Sequence, residues 1–266
     1  MDNKRIVVKV GTSTLTYENG RTNLQRLEML ARVLSDIRSR GHEVILVSSG
    51  AIAMGAEKLK MKERPTELRY KQAAAAVGQC SAMFYYDKFF HEYDQEVAQI
   101  LLNAEDIDNE EKKANLTGTF LTLLEMGVIP VVNENDSIGH TEIESADRLF
   151  GDNDMLSAIV AGLCDAQLLV IFSDIDGFYD KDPRKNEDAQ LISRIGRIDE
   201  ETFALAGGAG SRRGTGGMVT KLRAASYGMA RGIDTVVTNG VHPESLYDIL
   251  GGHIVGTLFS APDKSL

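Results

Sequence analysis

Runs rich in Val, Ile and Leu punctuate the chain at 5–10, 43–48, 96–102, 128–132, 167–172, 234–238 and 253–259. They are continuously apolar rather than alternating, which is what strands of a parallel sheet covered on both faces require. Between them the apolar positions return at helical spacing, and the pattern predicts helices over 22–40, 66–92, 110–126, 153–164, 216–231 and 243–250. The first has a capping box in Thr22-x-x-Gln25 and a glycine stop at Gly41. Strand and helix in repeated order imply right-handed crossovers and an α/β fold, a three-layer αβα sandwich around a mainly parallel central sheet. Segments 133–151 and 173–215 are long, polar and glycine-bearing, and loops of that length in a compact domain are usually functional. In such a sheet a ligand sits beyond the carboxyl ends of the strands, so the residues after each strand are the ones to inspect.

Composition narrows the picture. No internal repeat, low-complexity tract or proline-rich linker divides the 266 residues, which read as a single domain, 1–266. Lys and Arg number 29 against 39 Asp and Glu, giving a formal charge of −10, which argues against a general nucleic-acid or membrane-surface binder. An anionic ligand must therefore be met by a local cluster. No run approaches the roughly 18 apolar residues of a membrane span, and Lys9 interrupts the short apolar run near the N-terminus, so a cytoplasmic protein is expected. Cys80 and Cys164 form no CxxC pair and read as reduced, buried packing residues; His42, His91, His140, His242 and His253 show no zinc spacing.

Two lysines carry the first candidate chemistry. Lys9 lies inside an apolar strand and is followed by Gly11, Thr12 and Ser13, a setting that suits a phosphate cradle or, alternatively, a strand-end lysine snorkelling to water. Gly214-Thr215-Gly216-Gly217-Met218-Val219-Thr220-Lys221 leads into a helix, where glycines let backbone amides approach phosphate and a lysine one turn in adds charge. It is neither a P-loop nor a dinucleotide fingerprint. The turn Ser48-Ser49-Gly50 lacks the spacing of a nucleophile elbow, so Ser49 reads as a binder or an N-cap.

Between 133 and 154 stand Glu134, Asp136, Glu142, Glu144, Asp147, Asp152 and Asp154 with the single Arg148, beside Asn133, Asn135 and Asn153. Clustered carboxylates suit either a divalent metal or a ligand ammonium, and amides suit a carboxylate, so that both types together fit an amino acid; a solvated acidic loop with Asp152 as N-cap is the other reading. Ser173-Asp174-Ile175-Asp176-Gly177 fails the calcium-loop pattern, because placing Gly177 sixth puts Phe172 first and Pro183 twelfth. Asp174 with Phe178 and Tyr179 could instead border a nucleotide, or form a polar turn over packed aromatics.

In order, KVGTSTLT at 9–16, VSSGAI at 47–52, NENDSI at 133–138, FGDND at 150–154, SDIDGFYDKDPR at 173–184 and GTGGMVTK at 214–221 resemble the amino-acid kinase family, and within it the branch that phosphorylates the γ-carboxylate of L-glutamate at the start of proline synthesis. Branches acting on aspartate, acetylglutamate, carbamate, UMP or isopentenyl phosphate do not resemble this set. The resemblance implies that Lys9 and Lys221 grip the transferring phosphoryl group and that Asp154 orients them. Ser49, Asn133, Asp136 and Asn153 would hold glutamate. Lys9, Ser173, Asp174, Thr215, Gly216, Gly217, Met218, Val219, Thr220 and Lys221 would hold ATP, with Mg²⁺ carried mainly by ATP phosphates. It also implies a homodimer or tetramer and feedback by proline at or beside 133–153. Many members carry a C-terminal PUA domain; this chain stops soon after GTLFSA at 256–261, so a form without it is expected. A kinase for another small acid and a non-catalytic amino-acid or nucleotide sensor are the alternatives; Lys9, Asp154 and Lys221 argue against the sensor.

Overall fold

The computed structural model describes residues 3–139, 152–206 and 217–261. Eight strands form one sheet in the order β3-β4-β2-β1-β5-β7-β8-β6, and every pairing is parallel except β7 with β8. The strands are β1 (Arg5–Val10), β2 (Glu43–Ser48), β3 (Val97–Leu102), β4 (Ile129–Glu134), β5 (Leu168–Ser173), β6 (Arg194–Ile195), β7 (Asp234–Asn239) and β8 (Thr257–Phe259). The helices are α1 (Thr12–Leu15), α2 (Leu24–Ser39), α3 (Ala51–Lys58), α4 (Leu68–His91), α5 (Ala104–Asp108), α6 (Glu110–Glu125), α7 (Asn153–Leu163), α8 (Glu200–Ala206), α9 (Met218–Met229) and α10 (Ser245–Leu250).

Two cores lie on the two faces of the sheet. Side chains alternate along a strand, so Val7, Ile45 and Ile171 pack with α6, α7 and α9 on one side, and Ile6, Val8, Leu46 and Val170 pack with α2, α4 and α10 on the other. Lys9 shares the parity of Val7 and therefore points toward the layer that holds α7 and α9. Beside β1 the chain continues to β2 in one direction; beside β5 it continues to β7 in the other. The boundary between β1 and β5 is thus the switch point where an open α/β sheet leaves a crevice at its carboxyl edge.

Helices α3 and α4 cross with backbones nearly touching. A Cβ added at Gly55 would fall 1.8 Å from the Ala74 carbonyl oxygen, and one at Gly78 would fall 1.7 Å from that of Ala51. Only glycine permits this approach. Because α3 starts immediately after Gly50, α4 is pinned to the turn that carries Ser49.

Several expectations are corrected. The Thr22-x-x-Gln25 box does not form: Asn23 caps α2 by accepting from the Arg26 amide at 3.1 Å, and Thr22 turns its amide and hydroxyl to Glu57. The last strand is confined to Thr257–Phe259, since Gly256 at φ +76° breaks the run at a spot where a Cβ would strike the Val237 carbonyl oxygen. Segment 173–215 is not merely a loop; it contains β6 and α8. Cys164 is buried, its thiol pushed up to about 12 chiefly by burial, but Cys80 is exposed on α4. No described helix is long and apolar enough to cross a membrane.

Candidate active site

Three charged side chains that share no element meet under the sheet's carboxyl edge. Asp154, in the first turn of α7, is fully buried. Its Oδ2 accepts from Lys221 Nζ at 2.9 Å, and Lys9 Nζ forms an ion pair with Oδ1 at 2.6 Å. Thr220 Oγ1 stands 2.9 Å from Oδ2 and 2.8 Å from the Gly217 carbonyl oxygen. Burial works against ionisation of Asp154, but the two ammonium groups outweigh it and hold the carboxyl well below its usual range. Burial likewise opposes the Lys9 charge; Asp154 and Asp152 overcome it, so the ammonium is held more firmly than in water. Each ammonium group has three N–H donors, and one carboxylate does not use them all, which leaves donors for a further anion. A Cβ at Gly11 would sit 3.6 Å from Lys9 Nζ, in van der Waals contact, so glycine leaves that side of the ammonium open.

The α9 start supplies amides to the same place. Its N-cap, Gly217, offers no capping side chain, so the first-turn N–H groups are available to an anion. Met218 and Val219 contribute backbone only, their side chains being packed in the core. Thr215 and Gly216 lie outside the described residues.

A neutral cluster adjoins the charged one. Asn153 Nδ2 donates to Ser49 Oγ at 2.6 Å and to Asn133 Oδ1 at 3.0 Å, with the Ser48 carbonyl oxygen at 3.3 Å. Its own Oδ1 is buried and has no hydrogen-bond partner among the described residues. Asp136 stands on the turn after β4, half-buried; burial raises its carboxyl, and the nearby Arg64 charge pulls the other way. Glu142, Glu144, Asp147 and Arg148 fall outside the described residues.

Ser173 ends β5 and, with Asp174 just after it, lines a cleft of about 1040 Å³ together with Thr12, Ser13, Arg26 and Arg64. Asp174 accepts from Ser173 Oγ at 3.3 Å and pairs with Arg184 at 2.7 Å. Phe178 does not border this space: it is buried in the core, and the polar-turn reading holds for it. Tyr179 is half-buried and bonds Asp176. Asp152 does serve as N-cap, its Oδ1 accepting from the Asp154 amide at 3.0 Å, while Oδ2 is buried and unpartnered among the described residues.

Sequence reasoning missed two contributors. Gln79 accepts from Asn133 Nδ2 at 3.0 Å, and Tyr86 bonds Ser48 at 2.7 Å. Both belong to α4, whose composition gives no hint of a site.

The sequence pattern of the amino acid kinase family matches residues 4–239. Glutamate 5-kinase of Clostridium perfringens is 57% identical over 98% of this chain and 96% of its own length, and that of Listeria innocua is 52% identical over 98% and 94%. Among solved structures, carbamate kinase from Giardia lamblia bound to AMP-PNP superposes with a TM-score of 0.69 at 16% identity, covering 97% of this chain and 99% of the other. UMP kinase from Bacillus anthracis gives 0.65 at 18%, covering 99% and 98%. The structural likeness reaches the fold alone, whereas the sequence matches cover nearly the whole chain. On those grounds the chain belongs to the amino acid kinase family.

Proposed function

We propose that this protein transfers the γ-phosphoryl group of ATP to the γ-carboxylate of L-glutamate, forming L-glutamyl 5-phosphate at the entry to proline synthesis, as one catalytic domain working in the cytoplasm. The observation that carries the chemistry is the buried Lys9–Asp154–Lys221 cluster at the β1/β5 switch point, placed between the α9 amides and the Ser49–Asn133–Asn153 cluster. The choice of acceptor is supported by relatives named glutamate 5-kinase at 57% and 52% identity.

A glutamate side chain with a pKa of about 4.3 is already ionised at neutral pH, so its oxygen attacks without a general base. As the new O–P bond forms, the bond from the γ-phosphorus to the bridging oxygen breaks and ADP departs. The obstacle is bringing an anion against a polyanion, and positioning with charge neutralisation must overcome it. On this reading Lys9 and Lys221 follow the moving negative charge, and Asp154 fixes their spacing. The α9 amides, Ser173 and Asp174 hold ATP. Ser49, Asn133, Asp136 and Asn153 hold glutamate, the buried Asn153 Oδ1 receiving its ammonium. A Mg²⁺ ion on the ATP phosphates would neutralise part of their charge. Asp152 Oδ2, buried and unpartnered among the described residues, is a carboxylate oxygen that would suit such an ion. Proline competing beside 133–153 and assembly as a homodimer or tetramer belong to the same reading.

The test is ADP release with ATP and Mg²⁺ against a panel of small acids, with hydroxylamine to trap an acyl phosphate. Hydroxamate with L-glutamate, and not with aspartate, acetylglutamate or carbamate, is expected. No hydroxamate with L-glutamate overturns the proposal, and ligand binding without any turnover favours a sensor.

A further inference from the structure

The amino edge of the sheet, opposite the candidate active site, holds a cavity of about 280 Å³. His42 stands just before β2, and Gly127 and Val128 just before β4; Ser49 and Asn133 lie at the other ends of the same two strands. Arg38, His42, Glu43, Leu124 and Gly127 are among the lining residues. Pockets for drug-sized molecules start at about 300 Å³, so this one suits a smaller ligand.

Two side chains bring unspent donors to it. Arg38 sits half-buried in the last turn of α2, and its guanidinium makes no hydrogen bond or ion pair with any described residue. An arginine placed there only to close a helix would spend its N–H groups on the last carbonyls of α2 or α6. Its five donors form a planar fork that matches an oxyanion. The fork lies over Gly127, where a Cβ would overlap Nη2, so a residue without a side chain leaves it room. His42 is only 7% exposed, and its Nδ1 accepts from the Lys4 amide at 3.0 Å. The proton of the neutral ring is therefore on Nε2. That N–H has no partner among the described residues and is not sealed within protein either, so it opens on the cavity.

The local charge is positive in a chain whose formal charge is −10. Burial first, then the Lys4 and Arg40 charges, hold the His42 ring below its ordinary value against the pull of the Lys4 amide. Arg40 is answered by Asp36 at 2.7 Å, and Glu43, the one acid among the described lining residues, by Arg5 at 2.6 Å. Lys4 and Arg38 are left without a carboxylate among the described residues. We propose that this cavity binds a compact oxyanion, a free phosphate or a small carboxylate, between the Arg38 guanidinium and the His42 Nε2–H, at a place separate from the candidate active site.

The experiment follows the histidine ring signals of the full chain by NMR at fixed pH, in separate titrations with inorganic phosphate, with acetate and, at matched ionic strength, with chloride. Loss of one signal in His42→Gln assigns His42. That signal should move saturably with phosphate or acetate and stay still in chloride, and the arm with the lower Kd names the source of the oxyanion. Arg38→Met should raise that Kd by about tenfold or more, the order expected when a charge-assisted hydrogen bond is lost. Arg38→Gln, which keeps a polar side chain, gives the same comparison should the methionine variant fold poorly. Lys221→Ala, at the opposite edge of the sheet, should leave the His42 titration within about twofold of wild type, because an anion held at the catalytic lysines is not the one being read. A His42 signal that ignores both phosphate and acetate, a response that chloride reproduces, or one Kd shared by wild type and the Arg38 variants overturns the inference.

Discussion

The two ends of the candidate active site are built from opposite materials. At the phosphoryl end, Lys9, Asp154 and Lys221 are formal charges withdrawn from water, each tolerable only because the others are there. At the acceptor end, Ser49, Asn133 and Asn153 are neutral and settle their geometry by donor and acceptor direction. Removing one charge leaves an uncompensated ion in a low-dielectric site, a penalty of several kcal/mol. Removing one neutral partner leaves an unsatisfied group that costs about 1–3 kcal/mol. Failure at the first end should therefore be abrupt, and at the second graded.

The largest expected effect follows from Lys221→Ala. It should lower kcat by roughly 10³-fold, comparable to losing a principal electrostatic donor to a transition state, while the glutamate KM stays within about threefold because no acceptor contact is touched. Steady-state kinetics with both substrates varied will separate the two. A near wild-type kcat would remove Lys221 from the transferring group and collapse the distinction between the ends. Asp154→Asn should come next: it strands two buried ammonium groups, and urea unfolding should register a loss of about 3–5 kcal/mol, with turnover falling as the lysines lose their spacing.

The same contrast governs what could be read from the chain. A lysine within Ile6-Val7-Val8-Lys9-Val10 and an aspartate opening an apolar helix are conspicuous because burying charge is expensive. The repeated strand and helix runs likewise made the layered parallel sheet legible. Gln79 and Tyr86 gave no such cue: glutamine within an alanine-rich helix is a good helix former, and their partners lie 54 and 38 positions away. Phe178 looked like a nucleotide platform only because the turn around it is polar, whereas packing draws it inward. Short elements such as α1, α8 and β6 escaped because a turn or two of apolar pattern is shorter than the period needed to recognise it.

A pH series sharpens the comparison with a smaller effect. Lys9 is held above its ordinary value of 10.5 in the folded state, so its contribution to stability is complete below that pH and is lost as pH rises through the folded value. Asp154, held below 3.8, contributes fully above that value and loses its contribution as pH falls toward the folded one. Over the range between, this cluster leaves stability flat. Above 10.5 the wild type should lose up to about 1.4 kcal/mol per pH unit more than Lys9→Met, seen in urea unfolding. Parallel alkaline limbs would mean that Lys9 does not carry its proton in the folded protein as the cluster requires.

The smallest effect should come from an ion pair that looks equivalent on distance alone. Arg184 and Asp174 approach to 2.7 Å, hardly farther than the 2.6 Å of Lys9 and Asp154, yet their side chains are 43% and 39% exposed where those of the buried pair are 7% and 0%. Water screens the exposed pair, and holding an arginine in one rotamer costs entropy, so such pairs contribute about 0–1 kcal/mol. Arg184→Ala should change unfolding stability by less than about 1 kcal/mol, and the difference should shrink further at high salt. Because Arg184 and Asp174 line the cleft, the ATP KM should rise by about threefold at most with kcat preserved. A loss approaching that of Asp154→Asn would show that proximity rather than burial sets the strength of charge pairing in the candidate active site, and the division between its two ends would need redrawing along different residues.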